Sequence, residues 1–373
     1  MRRLNTVMDP AIACIALMLA AVGAAGADGL TTTVSGFGTL GGSFTSDSHY
    51  AYIHDPSEFR GATNQFDVGL ESRVGLQATF GFGSGLSVTV QEVARERGDK
   101  TFDPATEWLY LQYEPGSDWK LRLGRVALAT FLYSDSRLVG YAAPWFHSPN
   151  EVYSAEPFFY VDGGEVVWHK NVGPFRLGAQ GAFGSTQVAL QALGLSFTST
   201  ATDVFNVAVS LEYKDFLIRI AQTGDNGPVS VPLSANFVLS YHVHDRFTSV
   251  GTQYDDGRAI ALAEWTRRSE NDAPLLNEPF TESSQWYVAG GWRFGKFTPL
   301  AIYGHIHQEQ SLLGSPRSWS TVAASLRYDV VHNIALKAQV SRPQASNSTY
   351  WVTGSAASGE RVNVYSVGAD FVF

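Results

Sequence analysis

The sequence predicts an all-β chain that closes into a sixteen-stranded antiparallel barrel spanning a membrane. Three observations lead there. Segments of alternating apolar and polar residues recur from residue 33 to the end, and a period of two places the two rows on opposite faces of a strand. The connections alternate between tight turns and long polar loops, as in barrels with short turns on one side of a membrane and long loops on the other. The chain also stops on such a strand, with Tyr365, Val367, Ala369, Phe371 and Phe373 in one apolar row.

The start of the chain reads as a targeting segment. Arg2 and Arg3 precede the apolar run AIACIALMLAAVGA and the small residues AGA, the order of a secretory signal peptide. Cleavage is expected after Ala27, leaving residues 28–373 as the barrel. The run is too short and wrongly flanked for a lasting transmembrane helix. Cys14, the one cysteine, falls inside it, so the mature chain needs no disulfide or thiol chemistry. Tyr, Phe, Trp and Gly are abundant and mean hydropathy is near zero, which suits a wall with one lipid face and one wet face. The net charge of −9 includes Arg2, Arg3 and Asp9, so removing the signal makes it −10. That balance argues against a nucleic-acid partner.

The predicted strands are 33–44, 66–80, 85–95, 106–114, 119–126, 161–170, 174–183, 204–213, 216–223, 247–254, 258–268, 285–294, 297–307, 319–328, 333–341 and 362–373. In the second, Phe66, Val68, Leu70, Val74, Leu76, Ala78 and Phe80 form one row, broken by Ser72. Asp67, Glu71, Arg73 and Gln77 lie opposite, and charges of both signs on one face imply water there. In the thirteenth, Leu300, Ile302 and Ile306 are expected outward, with Tyr303, His305 and His307 inward. In the fifteenth, Ile334, Leu336, Ala338 and Val340 oppose Lys337 and Gln339. Segments of this length can cross a bilayer, because a tilted strand needs about 9–11 residues.

GFGS, PGSD, NVG, KD, DDG, GK and DVVH carry tight-turn chemistry. The long connections include 45–65, 127–160, 184–203, 224–246 and 342–361. Tyr113, Trp119, Tyr213, Phe294, Phe297 and Tyr328 sit near strand ends, where a membrane-interface girdle belongs. Only a closed sheet pairs every backbone polar group in lipid, so the last strand must pair with the first and put Phe373 at the rim.

The opening VSGFGTLGG, the rhythm of strands and turns, and the closing SVGADFVF resemble Gram-negative outer-membrane porins of the sixteen-stranded, usually trimeric kind. The resemblance covers essentially all of the mature chain. It implies a multi-pass barrel in the outer membrane, in contact with lipid and lipopolysaccharide, assembled as a homotrimer. It also implies that the terminal aromatic is part of the signal read by the barrel-assembly machinery. The implied function is passive diffusion of small hydrophilic solutes and ions through a water-filled channel, with no cofactor and no catalysis. In such porins the third outer loop folds into the lumen and narrows it. The chain lacks the PEFGG loop motif of the enteric members.

The connection 127–160 is the longest and sits where a constriction loop belongs; it is aromatic and punctuated by proline. It carries Asp135, Arg137, Glu151 and Glu156, and the neighbouring wall carries Glu71, Arg73, Arg95, Arg122 and Arg125. A basic wall against an acidic loop sets up a transverse field across a pore; the same charges could instead pair and pin the loop. Arg219 and Lys337 are further expected lining residues. Arg125 shares parity with Trp119, Leu121 and Leu123, so it lines the lumen only through a bulge or at the strand end.

The pairs His242/His244 and His305/His307 each share a strand face, but nothing is spaced to complete a coordination set; no metal is expected. Trp108, Tyr110 and Tyr303 read as filler or girdle rather than as a track for sugars. No nucleophile, phosphate loop or paired-carboxylate motif stands out. A channel specific for organic anions or sugars stays open, as does a barrel enzyme or adhesin.

Overall fold

The structure, a computed structural model, describes residues 30–54, 60–96, 102–156, 158–192, 195–234, 237–271, 282–309, 317–344, 352–354 and 361–373. The expected signal peptide lies outside the described residues. The first half of the sheet is β1 Thr31–Thr45, β3 Arg73–Gly83, β4 Leu86–Arg95, β5 Ala105–Tyr113, β6 Trp119–Ala127, β7 Tyr160–Val172, β8 Phe175–Ala192 and β9 Leu195–Tyr213. The second is β10 Phe216–Ser234, β11 Phe237–Asp255, β12 Ala259–Asn271, β13 Ser283–Trp292, β14 Phe297–Gln308, β15 Arg317–Val331, β16 Ile334–Gln344 and β18 Val364–Val372. Each pairs antiparallel with its neighbour, and β1 pairs with β18, so the sixteen strands close into a barrel. Short strands β2 Tyr50–Tyr52 and β17 Val352–Gly354 form a second sheet that joins two outer loops.

All sixteen expected strands are present, though five differ markedly in extent and a sixth in which face turns inward. Residues 66–72 do not belong to β3: Asp67 bridges Ser43 and the chain turns before Arg73. The connections 184–203 and 224–246 are not loops, because β8–β9 and β10–β11 continue as long hairpins. A ladder can extend past the bilayer on backbone hydrogen bonds and strand-favouring Thr, Val and Phe, without the alternation that lipid imposes. The thirteenth strand, β14, is inverted. Leu300, Ile302 and Ile306 are buried inside the barrel, while Tyr303, His305 and His307 lie on the outward row. Its apolar row meets a packed core that lies within the lumen (below), and alternation fixes a period without fixing which row faces lipid.

Closure rests on β1 and the chain end. Gly36 and Phe373 exchange backbone hydrogen bonds of 2.9 and 3.0 Å. The outward faces of Gly36 and Gly38 are covered by the Phe373 and Phe371 rings. A side chain at either glycine would collide with these rings, so the seam combines small residues on one strand with aromatics on the other. Next to the short turns, rings pair across strands: Phe175 with Tyr213 at 4.9 Å, Phe216 with Tyr254 at 4.6 Å and Phe297 with Tyr328 at 4.7 Å.

Deleting Phe373 removes two seam hydrogen bonds and uncovers Gly36. The amount of heat-modifiable barrel recovered from outer membranes is expected to fall severalfold, while channels that do assemble keep the parent conductance.

Candidate functional site: the lumen and its infolded loop

Between Ala127 and Tyr160 the chain enters the barrel and runs along its inner wall from β9 towards β18. Its backbone is met, strand by strand, by inward polar side chains. Asn206 accepts the Ala129 N–H at 3.3 Å, Ser249 donates to the Thr130 carbonyl at 2.5 Å, and Arg219 donates to that of Phe131 at 2.8 Å. Glu264 accepts the Leu132 N–H at 2.8 Å and also the hydroxyls of Tyr153 at 2.7 Å and Tyr287 at 2.8 Å. Arg327 donates to the carbonyls of Tyr141 and Ala143 at 2.6 and 3.1 Å. Gln339 accepts the N–H groups of Phe146 and His147, both at 3.1 Å. A buried loop is otherwise costly, because its irregular backbone lacks partners of its own.

Apolar contacts complete the seat. Phe131, Trp145, Val152 and Tyr153 of the loop pack with Phe247, Ile260, Leu262, Tyr287, Ala289, Leu300, Ile302 and Ala323 of the wall. This core inside the lumen is the reason β14 turns its aliphatic row inward. The Phe146 ring lies over Gly41 and Gly368, where an added Cβ would come within 2.8 Å and 2.7 Å of it.

The seat accounts for several expected lining residues that do not line the lumen. Lys337 is buried under the loop, donates to the carbonyls of Gly140, Ala143 and Trp145 at 2.5, 2.8 and 3.0 Å, and pairs with Asp370 at 2.9 Å. Glu151 is buried in the one-turn helix Asn150–Tyr153, with its carboxylate over Gly304, and burial pushes its carboxyl up. Glu156 is buried next to Arg268. That single arginine already pairs with Asp245, so burial pushes the Glu156 carboxyl up to about 8. Glu71 is likewise buried, near the entry to β3. These acids are buried against the seated loop, and none of them borders the recess on the other side of it.

Arg125 is also outside the lumen. Its register partner is Asp162, on the row shared with Leu121 and Leu123, and it holds that carboxylate at 2.7 and 2.8 Å while lying over the Tyr160 ring. The bulge of this region falls on β4–β5, not on β6, so parity along β6 is kept. His242 and His244 are exposed on the outward row of β11, and His307, also outward, meets Ser318 at 2.6 Å. Trp108 and Tyr110 do face inward, packed with Val126, Leu128, Phe158 and Val161 as filler; Tyr303 stands outside.

The wall from β6 to β10 is left open. A recess of about 370 Å³ is lined there by Lys120, Arg122, Arg176, Arg219 and Glu212, with the exposed Asp135 of the loop opposite. Arg122 is held by Gln112 at 2.7 Å and Glu165 at 2.8 Å. Towards β3 and β4 a smaller cavity is lined by Arg73, Arg95 and Arg137 together with Glu71 and Glu96. Arg73 donates to the Leu138 carbonyl at 2.9 Å, and Arg137 stacks on Phe159. Arg122, Asp135 and Arg219 therefore border the recess, while Arg73, Arg95 and Arg137 border the smaller cavity. Sequence reasoning missed Lys120, Arg176 and Glu212, whose only signal was inward parity. It also missed that His54, from the first outer loop, meets Glu71 and His147.

Two outcomes follow from the anchors. Lys337→Met leaves the Asp370 carboxylate buried without its cation, a loss of about 3–5 kcal/mol. It should lower the thermal midpoint of the detergent-solubilised barrel, and adding Asp370→Asn should recover most of the loss. For Glu156, the charged groups around it are Arg268, Asp245 and Asp225. The folded protein keeps the proton up to about 8, whereas the unfolded chain releases it near 4.5. The folded state binds more protons across that window, so stability falls as pH rises through it. Glu156→Gln should flatten this part of the profile, measured as thermal midpoint against pH.

A family model described as Gram-negative porin matches residues 13–348. Among solved structures the chain is similar to the trimer form of OmpT from Vibrio cholerae, with 15% identity, 93% of this chain and 100% of that one covered, and a TM-score of 0.61. It is similar to the outer membrane channel DcaP of Acinetobacter baumannii at 14% identity, covering 93% and 98%, with a TM-score of 0.60. It is also similar to an anion-selective porin from Comamonas acidovorans at 13% identity, covering 92% and 100%, with a TM-score of 0.59. No curated protein matches the sequence. With sixteen strands closed around a lumen narrowed by its own loop, and a family match across most of its length, the chain belongs to the Gram-negative porin family, as an outer-membrane barrel for passive diffusion of solutes.

Proposed function

We propose that solutes cross through the gap between the infolded loop and the β6–β10 wall, and that the gap favours anions. The observation that carries this is the recess itself. Lys120, Arg122, Arg176 and Arg219 line it against Glu212 and the loop's Asp135. Low-dielectric walls around a narrow water column screen charge poorly, so an excess of cations there raises the local concentration of anions. Arg73, Arg95 and Arg137 border the neighbouring cavity, where Glu71 and Glu96 offset part of their charge. Glu151 and Glu156 add little, because both are buried away from the water column.

The reading is of a general, non-enzymatic channel rather than a carrier of one compound. The working unit is a homotrimer, supported by the family and by the trimer form of one solved neighbour. The outward aromatic row ending in Phe373 fits recognition by the barrel-assembly machinery, and contact with lipopolysaccharide is proposed from the family and its outer-membrane location. Residues 1–27 are proposed to be removed on export.

Reversal potentials in a salt gradient test the placement of the pore. Arg122→Ala and Arg219→Ala should each shift selectivity towards cations, and Asp135→Asn towards anions. Glu151→Gln should leave it within error of the parent, and Arg125→Ala likewise, since it faces outward. A shift for the two outward or buried variants, with none for the recess variants, would move the pore elsewhere. Strong block of current by one organic anion at micromolar concentration would instead mark a substrate-specific channel.

A further inference from the structure

Three segments distant in sequence bring His54, Glu71 and His147 together inside the barrel mouth. His54 comes from the first outer loop, Glu71 from the entry to β3 and His147 from the infolded loop. The Nε2 atoms of both histidines lie 3.1 Å from the same Glu71 Oε1, and the donor atoms of all three residues lie within 4.8 Å of one another. The side chains are only 7%, 4% and 14% exposed for His54, Glu71 and His147. Two hydroxyls border the group: Ser43 donates to Glu71, and Ser366 Oγ is 3.1 Å from His147 Nε2. A cavity of about 90 Å³ opens alongside.

We propose that His54, Glu71 and His147 form a binding site for one divalent transition-metal ion, zinc above all. Two imidazoles and a carboxylate leave the fourth position of a tetrahedron for water or a neighbouring hydroxyl. With metal–ligand bonds of about 2.0–2.1 Å, two ligand atoms of a tetrahedral site stand about 3.3–3.4 Å apart, close to the 3.1 Å between each Nε2 and Oε1. Imidazole nitrogen selects zinc, copper or nickel over magnesium or calcium, which take oxygen.

The site is also supported from behind. Gln339 holds the His147 backbone, and Asn150 donates to the Ile53 carbonyl at 3.0 Å, fixing the residue before His54. One movement is required. The two rings stack at 3.7 Å with planes 8° apart, and lone pairs in parallel planes do not converge, so each ring must tilt to bind. The ion would then fasten the first outer loop, the entry to β3 and the infolded loop to one another. This inference does not depend on which ions the channel prefers, and its test uses no current.

Purified full-length mature protein in detergent, stripped with a chelator, is titrated with zinc by calorimetry. One ion per chain is expected. His54→Ala and His147→Ala should each weaken binding by at least about tenfold, and Glu71→Gln should also weaken it, whereas His305→Ala and His307→Ala should bind as the parent does. X-ray absorption on the zinc-loaded parent, which needs no variant to fold, should report two imidazole nitrogens and a carboxylate oxygen. No binding by the parent, binding that survives the double change at His54 and His147, or an absorption spectrum without imidazole would each overturn the site.

Discussion

Every backbone N–H and C=O that faces lipid must find a partner within the chain, and this constraint shapes the whole molecule. Helices of sufficient length and apolarity are absent among the described residues, so the sheet has to close on itself. Closure imposes an even set of antiparallel strands, a first strand that accepts the last, and a seam flat enough for the two to meet. The glycines of β1 beneath Phe371 and Phe373 supply that seam. Once the ring is closed, the two faces of every strand have different solvents, and alternation follows along its length.

A closed barrel of sixteen strands leaves a lumen too wide for wall side chains to fill. The infolded loop fills part of it, and the same pairing rule applies to the loop as to the wall. Its carbonyls are taken by Arg219, Ser249, Arg327, Lys337 and Arg268, and its N–H groups by Asn206, Glu264 and Gln339. The wall from β9 to β18 thus acts as a receptor for one segment of its own chain. The aromatic and aliphatic core beneath the loop gives that seat its hydrophobic driving force.

This one-sided seating makes the pore asymmetric. Charges on the covered side are consumed by pairing: Lys337 with Asp370, Arg268 with Asp245, and Glu264 with two tyrosines. Charges on the open side are also paired, Lys120 with Glu114, Arg122 with Glu165 and Arg176 with Glu212, but these cations stay partly exposed and still border the recess. A count of inward charges along the strands therefore says little about the field a solute meets. What matters is which of them the loop has covered, since a buried pair is nearly neutral to an ion outside it.

The period of two, the tight turns and the aromatic end were legible in the sequence because lipid, backbone geometry and turn chemistry act over a few residues. These local rules placed all sixteen strands and their closure, and the family resemblance placed a long third loop in the lumen. They could not say which row of β14 faces inward, because Leu300 and Ile302 are as suited to a protein core as to lipid. Nor could they show that Glu71, Glu151, Glu156 and Lys337 are buried, or that His54 meets His147, since those contacts join residues far apart in the chain. Arg125 marks the boundary: its outward parity was readable, while its partner Asp162 needed the register of β6 on β7. The sequence by itself determined the barrel, because every residue in a strand feels the same lipid and water. Only the tertiary structure decided the pore, because the lumen's surface depends on where a single flexible-length segment comes to rest against a wall assembled from the rest of the chain.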